Sequence, residues 1–367
     1  MNDGAGHVAA SASRIGPSVS GEDQASRLRA MVGQTLSAGQ VDQVVMGQLG
    51  RAITDAVREG EPMAWRRAGH AGVPIVAIAS GKGGVGKTNL AVNLSIALSA
   101  RRARVTLLDA DLGMANTDVL LGMTPTRRID AVVGNSNVGN MNGAGRGVGS
   151  LAGLCVEAPG GFRLIPGSAG VARIADLPRQ SRAAMIDALS TLSDSSDVVL
   201  IDTGAGAHAG VTSFVRAADL ALVVVTPEPT SIADAYAMVK CLTDAGRMRE
   251  NMPRVMLVVN QARDEEEARA VHARIAAVSA RFLGAVPGMF GWVPSDAGVS
   301  MAVRARTPFV LREPRGAATL AVMRLAEALE ARLMPRRAEH APNEGGWLAR
   351  ILRGLAGHRG GAVGMAR

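Results

Sequence analysis

A glycine-rich stretch with two lysines, residues 80–89 (SGKGGVGKTN), contains the residue types that most directly suggest chemistry. Residues 81–88 fit the phosphate-loop pattern G-x-x-x-x-G-K-[ST], and they lie between an apolar run and a helix-forming stretch. Glycines let backbone N–H groups turn toward phosphate oxygens, and the helix start adds the positive end of its dipole. We therefore expect Lys87 to reach the β- and γ-phosphates of a nucleotide and the Thr88 hydroxyl to hold Mg²⁺.

The other lysine of this stretch, Lys82, is not required by the pattern. The chain has 40 lysines and arginines together, and only three of them are lysines, the third being Lys240. A planar guanidinium is a poor substitute for a slim ammonium inside a tight loop. The choice of lysine at position 82 therefore indicates a role for a compact charge.

Polar side chains follow several apolar runs at the point where each run ends. Asp109 and Asp111 follow RVTLL, Asp202 follows VVLI, and Asn260 follows RVMLVV. In an open α/β sheet the ligand binds at the carboxyl ends of the strands. We expect these side chains to face the phosphate loop.

The elements that must position these residues are short apolar runs alternating with helical stretches. Continuous apolar runs suit strands that are buried on both faces, and their alternation with helices implies βαβ crossovers. The sequence therefore predicts an α/β fold, a doubly wound and mostly parallel sheet with helices on both faces, over residues 73–334. Residues 1–72 are predicted to be a flexible extension with a helix at about 22–32, a further helical tract at 38–60 and a linker. Residues 335–367 are predicted to be a linker followed by an amphipathic helix at about 346–356, and the Gly/Asn-rich residues 134–150 a surface insertion.

Composition narrows the function classes. The 367 residues are 47% hydrophobic and 20% charged, as in a globular chain with a large core. The net charge of +8 allows nucleic acid or an anionic membrane as a partner, or an arginine bias without one. An aromatic content of 2% disfavours base-stacking platforms. The N-terminus has no signal-peptide pattern and no apolar run approaches the ~18 residues of a membrane span.

The sequence KGGVGKT resembles the deviant Walker A motif of the MinD/ParA group of ATPases. This resemblance implies that Lys82 reaches across a dimer interface to the nucleotide of the partner subunit, while Lys87 acts on its own. It also implies that Asp111 orients the attacking water, that Asp109 lies in the outer Mg²⁺ shell and that Asp202 binds Mg²⁺ through water. Catalytic roles thus fall on Lys82, Lys87 and Asp111, and metal binding on Thr88, Asp109 and Asp202.

The resemblance extends to the base of ATP. The group uses an asparagine at the position of Asn260, and GWVPSD resembles the segment that closes over the base, with Pro294 and Asp296. The expected ATP-binding residues are Gly81, Lys82, Gly83, Gly84, Val85, Gly86, Lys87, Thr88, Asn89, Asn260, Pro294 and Asp296.

Two relatives within the group are excluded by residue content. The nitrogenase iron protein needs cluster-binding cysteines near its switch regions, where Cys155 and Cys241 do not lie. Bacterial tyrosine kinases of this fold have a tyrosine-rich tail, whereas Tyr236 is the only tyrosine here.

Several stretches resemble the flagellar site-determining ATPases called FlhG or FleN: DADLGMANTDVLLG, LIDTGAG, TPEPTSIADAYAMVK and AVRARTPFVLREP. The segment DQASRLR, residues 23–29, matches the DQAxxLR helix by which that family activates the GTPase of its partner FlhF, and Gln24 would complete the partner's active site. The residues expected to contact an FlhF-type GTPase are Asp23, Gln24, Ala25, Leu28 and Arg29.

The tail predicts an interfacial helix. At 100° per residue, its apolar side chains fall within one arc and Arg350 and Arg353 lie outside it. The membrane-facing residues would be Trp347, Leu348, Ile351, Leu352 and Leu355. MinD-like ATPases use such a helix on anionic membranes when they dimerise, because two weak helices bind with avidity. A helix packed on the domain or on a partner is the alternative.

The resemblance as a whole implies a slow, dimerisation-dependent ATPase that regulates the number or placement of flagella. We expect a cytoplasmic homodimer with ATP and Mg²⁺, peripheral at the inner face of the cell membrane, with FlhF as a partner. A flagellar transcription activator and switch-complex proteins are further expected partners, and DNA is not. The alternatives are a ParA-type partition ATPase that binds DNA non-specifically and a nucleotide-gated scaffold whose turnover is incidental.

Overall fold

The computed structural model describes residues 73–111, 116–129, 151–167, 188–189, 192, 195–243 and 252–334. Four predicted features lie outside these residues: the helices at 22–32 and 346–356, the tract at 38–60 and the Gly/Asn-rich segment 134–150.

An eight-stranded sheet forms the centre of the described part of the chain. Its strands are β1 (Ile75–Ser80), β2 (Val105–Ala110), β3 (Val156–Ala158), β4 (Phe162–Ile165), β5 (Val198–Ala205), β6 (Leu220–Val225), β7 (Arg254–Ala262) and β8 (Gly288–Pro294). Their order is β3-β4-β2-β5-β1-β6-β7-β8, and only β3 runs antiparallel to its neighbour. The chain winds to opposite sides of β1, so the carboxyl end of β1 lies at a switch point where such sheets bind ligands.

The described residues form nine helices, the last three of which follow β8. They are α1 (Lys87–Ala100), α2 (Thr117–Leu120), α3 (Leu151–Leu154), α4 (Ala209–Ala217), α5 (Pro229–Thr243), α6 (Glu265–Leu283), α7 (Ala297–Arg304), α8 (Phe309–Arg312) and α9 (Ala317–Leu333). The core divides between the two faces of the sheet: α1, α8 and α9 pack on one face, and α4, α5 and α6 on the other. In β1, Val76 and Ile78 belong to the first cluster and Ala77 and Ala79 to the second, as strand alternation requires. The predicted doubly wound α/β fold is confirmed.

The apolar runs do not predict strand β8, because its sequence GMFGWVP is interrupted by glycines and its last residues belong to the segment predicted to close over the base. The glycines are needed for packing. A Cβ on Gly291 would lie 2.4 Å from Leu325 Cδ2 of α9, and one on Gly288 would lie 2.8 Å from Met256 Cε of β7. The interruption of the apolar pattern therefore reflects close neighbours rather than a turn.

Two polar contacts tie α1 to the last helices. Arg101 Nε donates to Glu330 Oε2 of α9 at 2.5 Å, and the Glu330 side chain is 1% exposed. Asn93 Oδ1 accepts from the backbone N–H of Val310 in α8 at 3.0 Å. No helix within the described ranges is long and apolar enough to cross a membrane.

Candidate functional site

The glycine-rich loop connects β1 to α1, as the sequence predicts. Gly84 and Gly86 have φ values of 80° and 88°, in the left-handed region that favours glycine. Gly86 is the N-cap of α1, no side chain caps this end, and the first turn has no acidic residue. The backbone N–H groups at the start of α1 therefore have no side-chain acceptor, which suits the binding of an anion.

The beginning of the loop packs against α5. A Cβ on Gly81 would lie 1.9 Å from the carbonyl oxygen of Asp234, an atom of the α5 backbone. The hydroxyl of Ser80 donates to the carbonyl of Lys82 at 2.8 Å. The loop and the first turns of α5 are thus one packed unit, which fixes where Lys82 emerges.

Three of the predicted site side chains meet beside the loop. Lys87 Nζ lies 3.4 Å from Asp202 Oδ1 and 3.9 Å from Asp111 Oδ2. The side chains of Lys87 and Asp202 are 7% and 1% exposed, whereas that of Asp111 is 27% exposed. The buried ammonium therefore lies between a buried carboxylate and one that solvent can reach.

Asp109 and Asp202 are direct neighbours on β2 and β5. Burial and, second to it, the charge of the adjacent Asp202 raise the pKa of Asp109 to about 7, although hydrogen bonds from Thr117 and Asp111 oppose the shift. Burial also raises the pKa of Asp202, opposed by Lys87 and the Thr88 hydroxyl. Two adjacent buried carboxyls repel each other when both are ionised, so this edge favours an additional positive charge.

Asp109 also holds the two ends of the segment that follows β2. Its Oδ1 accepts from the backbone N–H of Asp111 at 3.1 Å and its Oδ2 from that of Thr117 at 3.3 Å. On the neighbouring strand, a Cβ on Gly204 would lie 3.5 Å from Asp111 Oδ1. Asp111 therefore lies between the ends of β2 and β5, next to the loop.

Lys82 contacts two residues that follow β6. Its Nζ pairs with Glu228 Oε2 at 2.7 Å and lies 3.1 Å from the hydroxyl of Thr230. The side chains of Lys82 and Glu228 are 37% and 62% exposed, so the pair lies on the surface beside the loop.

Asn260 reaches the loop from the end of β7. Its amide Nδ2 donates to the carbonyl of Val85 at 2.8 Å. Because the nitrogen is used in this way, Oδ1 is the atom of the amide that remains to accept from a ligand. Any side chain at position 86 would collide with the amide, because a Cβ there would lie 2.4 Å from Nδ2.

Pro294 ends β8, and Asp296 is the N-cap of α7. Asp296 Oδ1 accepts from the N–H of Gly298 at 2.8 Å and Oδ2 from that of Ala318 at 3.1 Å. The two carboxylate oxygens of Asp296 therefore connect the starts of α7 and α9. The segment predicted to close over the base is the end of a strand followed by a two-residue connection.

The residues beside the loop fit a Mg²⁺ ion that also binds phosphate. Asp202 Oδ2 is buried and has no hydrogen-bond partner among the described residues. In the part of the chain that the structure describes, no three histidine, cysteine or acidic side chains form a preformed metal cage. Mg²⁺ commonly binds one or two carboxylates together with substrate phosphates and waters, which suits this donor set.

The expected residues of the partner helix (Asp23, Gln24, Ala25, Leu28, Arg29) and of the membrane helix (Trp347, Leu348, Ile351, Leu352, Leu355) lie outside the described residues. The sequence patterns do not predict the contact of Glu228 and Thr230 with Lys82. A signal was available, since both residues closely follow the apolar run of β6 at the ligand-binding edge of the sheet.

Comparison with known proteins agrees with this geometry. The sequence model of the CobQ/CobB/MinD/ParA nucleotide binding domain matches residues 76–304. The antiactivator FleN of Pseudomonas aeruginosa is 39% identical over 264 residues, which are 72% of this chain and 88% of FleN. The flagellum site-determining protein YlxH of Helicobacter pylori is 32% identical over 220 residues, which are 58% of this chain and 68% of YlxH.

A solved structure of the MinC:MinD cell division protein complex from Aquifex aeolicus has a TM-score of 0.55 at 26% identity, covering 71% of this chain and 96% of that chain. The septum site-determining protein MinD from Pyrococcus horikoshii, complexed with Mg-ADP, has a TM-score of 0.54 at 21% identity, over 70% and 96% of the two chains, which shows the shared fold. The chain therefore belongs to the CobQ/CobB/MinD/ParA family of nucleotide-binding proteins and, within it, to the flagellar regulators of the FleN and FlhG type.

Proposed function

We propose that this chain is an ATP-driven switch that regulates flagella. The observation that carries the proposal is the meeting of Lys87, Asp202 and Asp111 beside a glycine-rich loop at the switch point of the sheet. In hydrolysis a water attacks the γ-phosphorus, the bond to the β–γ bridging oxygen breaks, and ADP and inorganic phosphate are released. Lys87 stabilises the phosphates and Asp111, the more exposed of the two carboxylates, orients the water.

Thr88, Asp109 and Asp202 would hold Mg²⁺, which when bound neutralises charge on the phosphate oxygens. Asp202 offers a buried oxygen without a partner, and the adjacent Asp109 has a pKa of about 7 that a nearby cation would lower. Asp109 also accepts from the backbone N–H groups of Asp111 and Thr117, which would hold Asp111 in place for the water.

Dimerisation would complete the site. Lys82 pairs with Glu228 on the surface of its own subunit. We propose that this ammonium moves to the nucleotide of a second copy when ATP is bound, so that hydrolysis is slow until the dimer forms.

The N-terminal and C-terminal segments would couple the ATPase cycle to the regulation of flagella. The DQASRLR helix, residues 23–29, would stimulate an FlhF-type GTPase through Gln24. Residues 335–367 have six arginines against two glutamates, whereas residues 1–72 have seven arginines and seven acidic residues. Positive charge beside the apolar arc of the tail supports binding to anionic lipid at the inner face of the cell membrane. The name antiactivator of the FleN relative supports a transcription activator as a further partner.

Hydrolysis at increasing protein concentration tests the switch. The rate per chain should rise with concentration for the wild type, and Lys87→Ala should abolish ATP binding. Lys82→Arg should bind ATP as the wild type does but lose the concentration-dependent rate. A Lys82→Arg variant with wild-type hydrolysis at every concentration would contradict the cross-subunit role.

The partner helix is tested with purified FlhF. A peptide of residues 20–35 should raise the GTPase rate of FlhF, and the same peptide with Gln24→Ala should not. If the two peptides act alike, FlhF activation through this helix is wrong.

The tail is tested by co-sedimentation with anionic liposomes and with DNA in the presence of ATP. Liposome binding should be lost when residues 345–367 are deleted. Tail-independent DNA binding that weakens steeply with salt would instead support a partition-type ATPase.

A further inference from the structure

Gln261 departs from regular strand geometry at the end of β7. Its φ is 59°, and the pairing of β7 with β8 shifts register between Asn260 and Ala262. A non-glycine residue in the left-handed region costs of the order of 1 kcal/mol. Such outliers concentrate at functional sites.

The irregularity brings two consecutive side chains to the same place. In a regular strand the side chains of neighbouring residues point to opposite faces. Here a Cβ placed on Gly86 would lie 2.4 Å from Asn260 Nδ2 and 3.9 Å from Gln261 Nε2. Both amides therefore converge on the turn of the phosphate loop where α1 begins.

The two amides differ in which hydrogen-bonding atoms remain available to a ligand. Asn260 donates its Nδ2 to the Val85 carbonyl, which fixes its orientation and leaves Oδ1 as an acceptor. Gln261 is exposed, and its amide makes no hydrogen bond to another described residue. A fixed acceptor thus stands next to an amide that can still turn its N–H toward a ligand.

We propose that Gln261 determines base specificity together with Asn260, a step that rests on the proposed binding of a nucleotide to this loop. Asn260 Oδ1 accepts from the exocyclic amine of adenine, and Gln261 Nε2 donates to the neighbouring ring nitrogen. Guanine has an oxygen where adenine has the amine. Its oxygen would face Asn260 Oδ1 and leave two acceptors opposed, so the pair selects adenine over guanine.

Competition binding tests this proposal with full-length protein and a fluorescent ATP analogue labelled on the ribose, displaced by ATP, GTP or tripolyphosphate. Gln261→Met keeps the length of the side chain and the backbone conformation but removes the amide. Since a net hydrogen bond corresponds to about a two- to tenfold change, its affinity for ATP should fall by about that factor. Affinity for tripolyphosphate should not change, because this ligand has no base. The ratio of ATP to GTP affinity should fall, because the variant lacks the amide that favours adenine.

Gln261→Gly serves as the folding control, because glycine adopts the left-handed region without strain. It should lose base selectivity as Gln261→Met does, with thermal stability at least that of Gln261→Met. If both variants bind ATP as tightly as the wild type does and keep its ratio of ATP to GTP affinity, the role of Gln261 is overturned and the proposed function is not affected. Absence of any nucleotide binding by the wild type would overturn the proposed function and this inference together.

Discussion

Removing the charge of Glu228 should strengthen the ATP-bound dimer. Lys82 is proposed to act in the partner's site, but Glu228 holds its ammonium at 2.7 Å within the same subunit. Dimerisation must break this pair once in each subunit. In Glu228→Gln the lysine keeps a neutral hydrogen-bond acceptor and loses the ion pair, so less free energy is needed to release it.

The magnitude follows from exposure. With side chains 37% and 62% exposed, the pair is screened by water, and an exposed ion pair contributes about 0.2–1 kcal/mol. Two pairs per dimer give about 0.4–2 kcal/mol. Because about 1.4 kcal/mol is a factor of ten, the dimer Kd should fall about two- to thirtyfold.

Sedimentation equilibrium with ATP measures this Kd, in an Asp111→Ala background that prevents hydrolysis. Thr230→Val is the matched control, since it removes the second contact of Lys82 without changing charge, and its effect should be smaller. The increase in dimer affinity caused by Glu228→Gln should be smaller at about 1 M salt, where the Debye length is about 3 Å. An unchanged or weaker dimer at low salt would refute the competition and would indicate that Glu228 itself stabilises the dimer.

Three further predictions concern stability and are read by urea unfolding. Arg101→Met leaves the buried Glu330 carboxylate unpaired and should lower the free energy of unfolding by about 3–5 kcal/mol, whereas adding Glu330→Leu should recover most of this loss. Equal stability of the single and double variants would contradict a paired buried charge. Gly81→Ala forces a Cβ to within 1.9 Å of the α5 backbone and should destabilise the fold by more than the about 1–3 kcal/mol that is typical of overpacking. In the control Gly83→Ala, the atom nearest to the added Cβ is 4.0 Å away, so this variant should cost less than about 1 kcal/mol. The pKa of Asp109 is raised in the folded state, so its contribution to stability is complete below the unfolded pKa and is lost as pH rises through about 7. In the absence of Mg²⁺, the stability of the wild type relative to Asp109→Asn should therefore fall by up to about 1.4 kcal/mol per pH unit between about pH 4 and 7. A stability difference that does not change with pH would show that Asp109 does not titrate in this range.

Much of the fold and the phosphate site is predictable because the signals are local. Apolar runs mark the strands of a parallel sheet, and the glycine pattern between β1 and α1 predicts the loop that the structure contains. The strand-end rule also predicts that Asp111 and Asp202 lie near Lys87, since the carboxyl ends of parallel strands share one edge.

Other features depend on contacts that sequence spacing does not encode. Strand β8 was missed because glycine lowers strand propensity, whereas in the fold Gly291 is needed for the approach of α9. The raised pKa of Asp109 follows first from its burial in the sheet and then from the neighbouring charge of Asp202, which lies 93 residues away in sequence.

The sequence by itself determined that the chain has a nucleotide-binding α/β fold with two lysines in its loop, because the loop, its strand and its helix are contiguous and their pattern is local. Only the tertiary structure decided what surrounds those lysines. The packing of α5 against Gly81 brings Glu228 to Lys82, and the order of the strands brings Asp202 to Lys87. A register shift in β7 brings Gln261 to Gly86. These contacts join residues far apart in sequence, and they exist only because burial of the sheet faces fixes which strands and helices are neighbours.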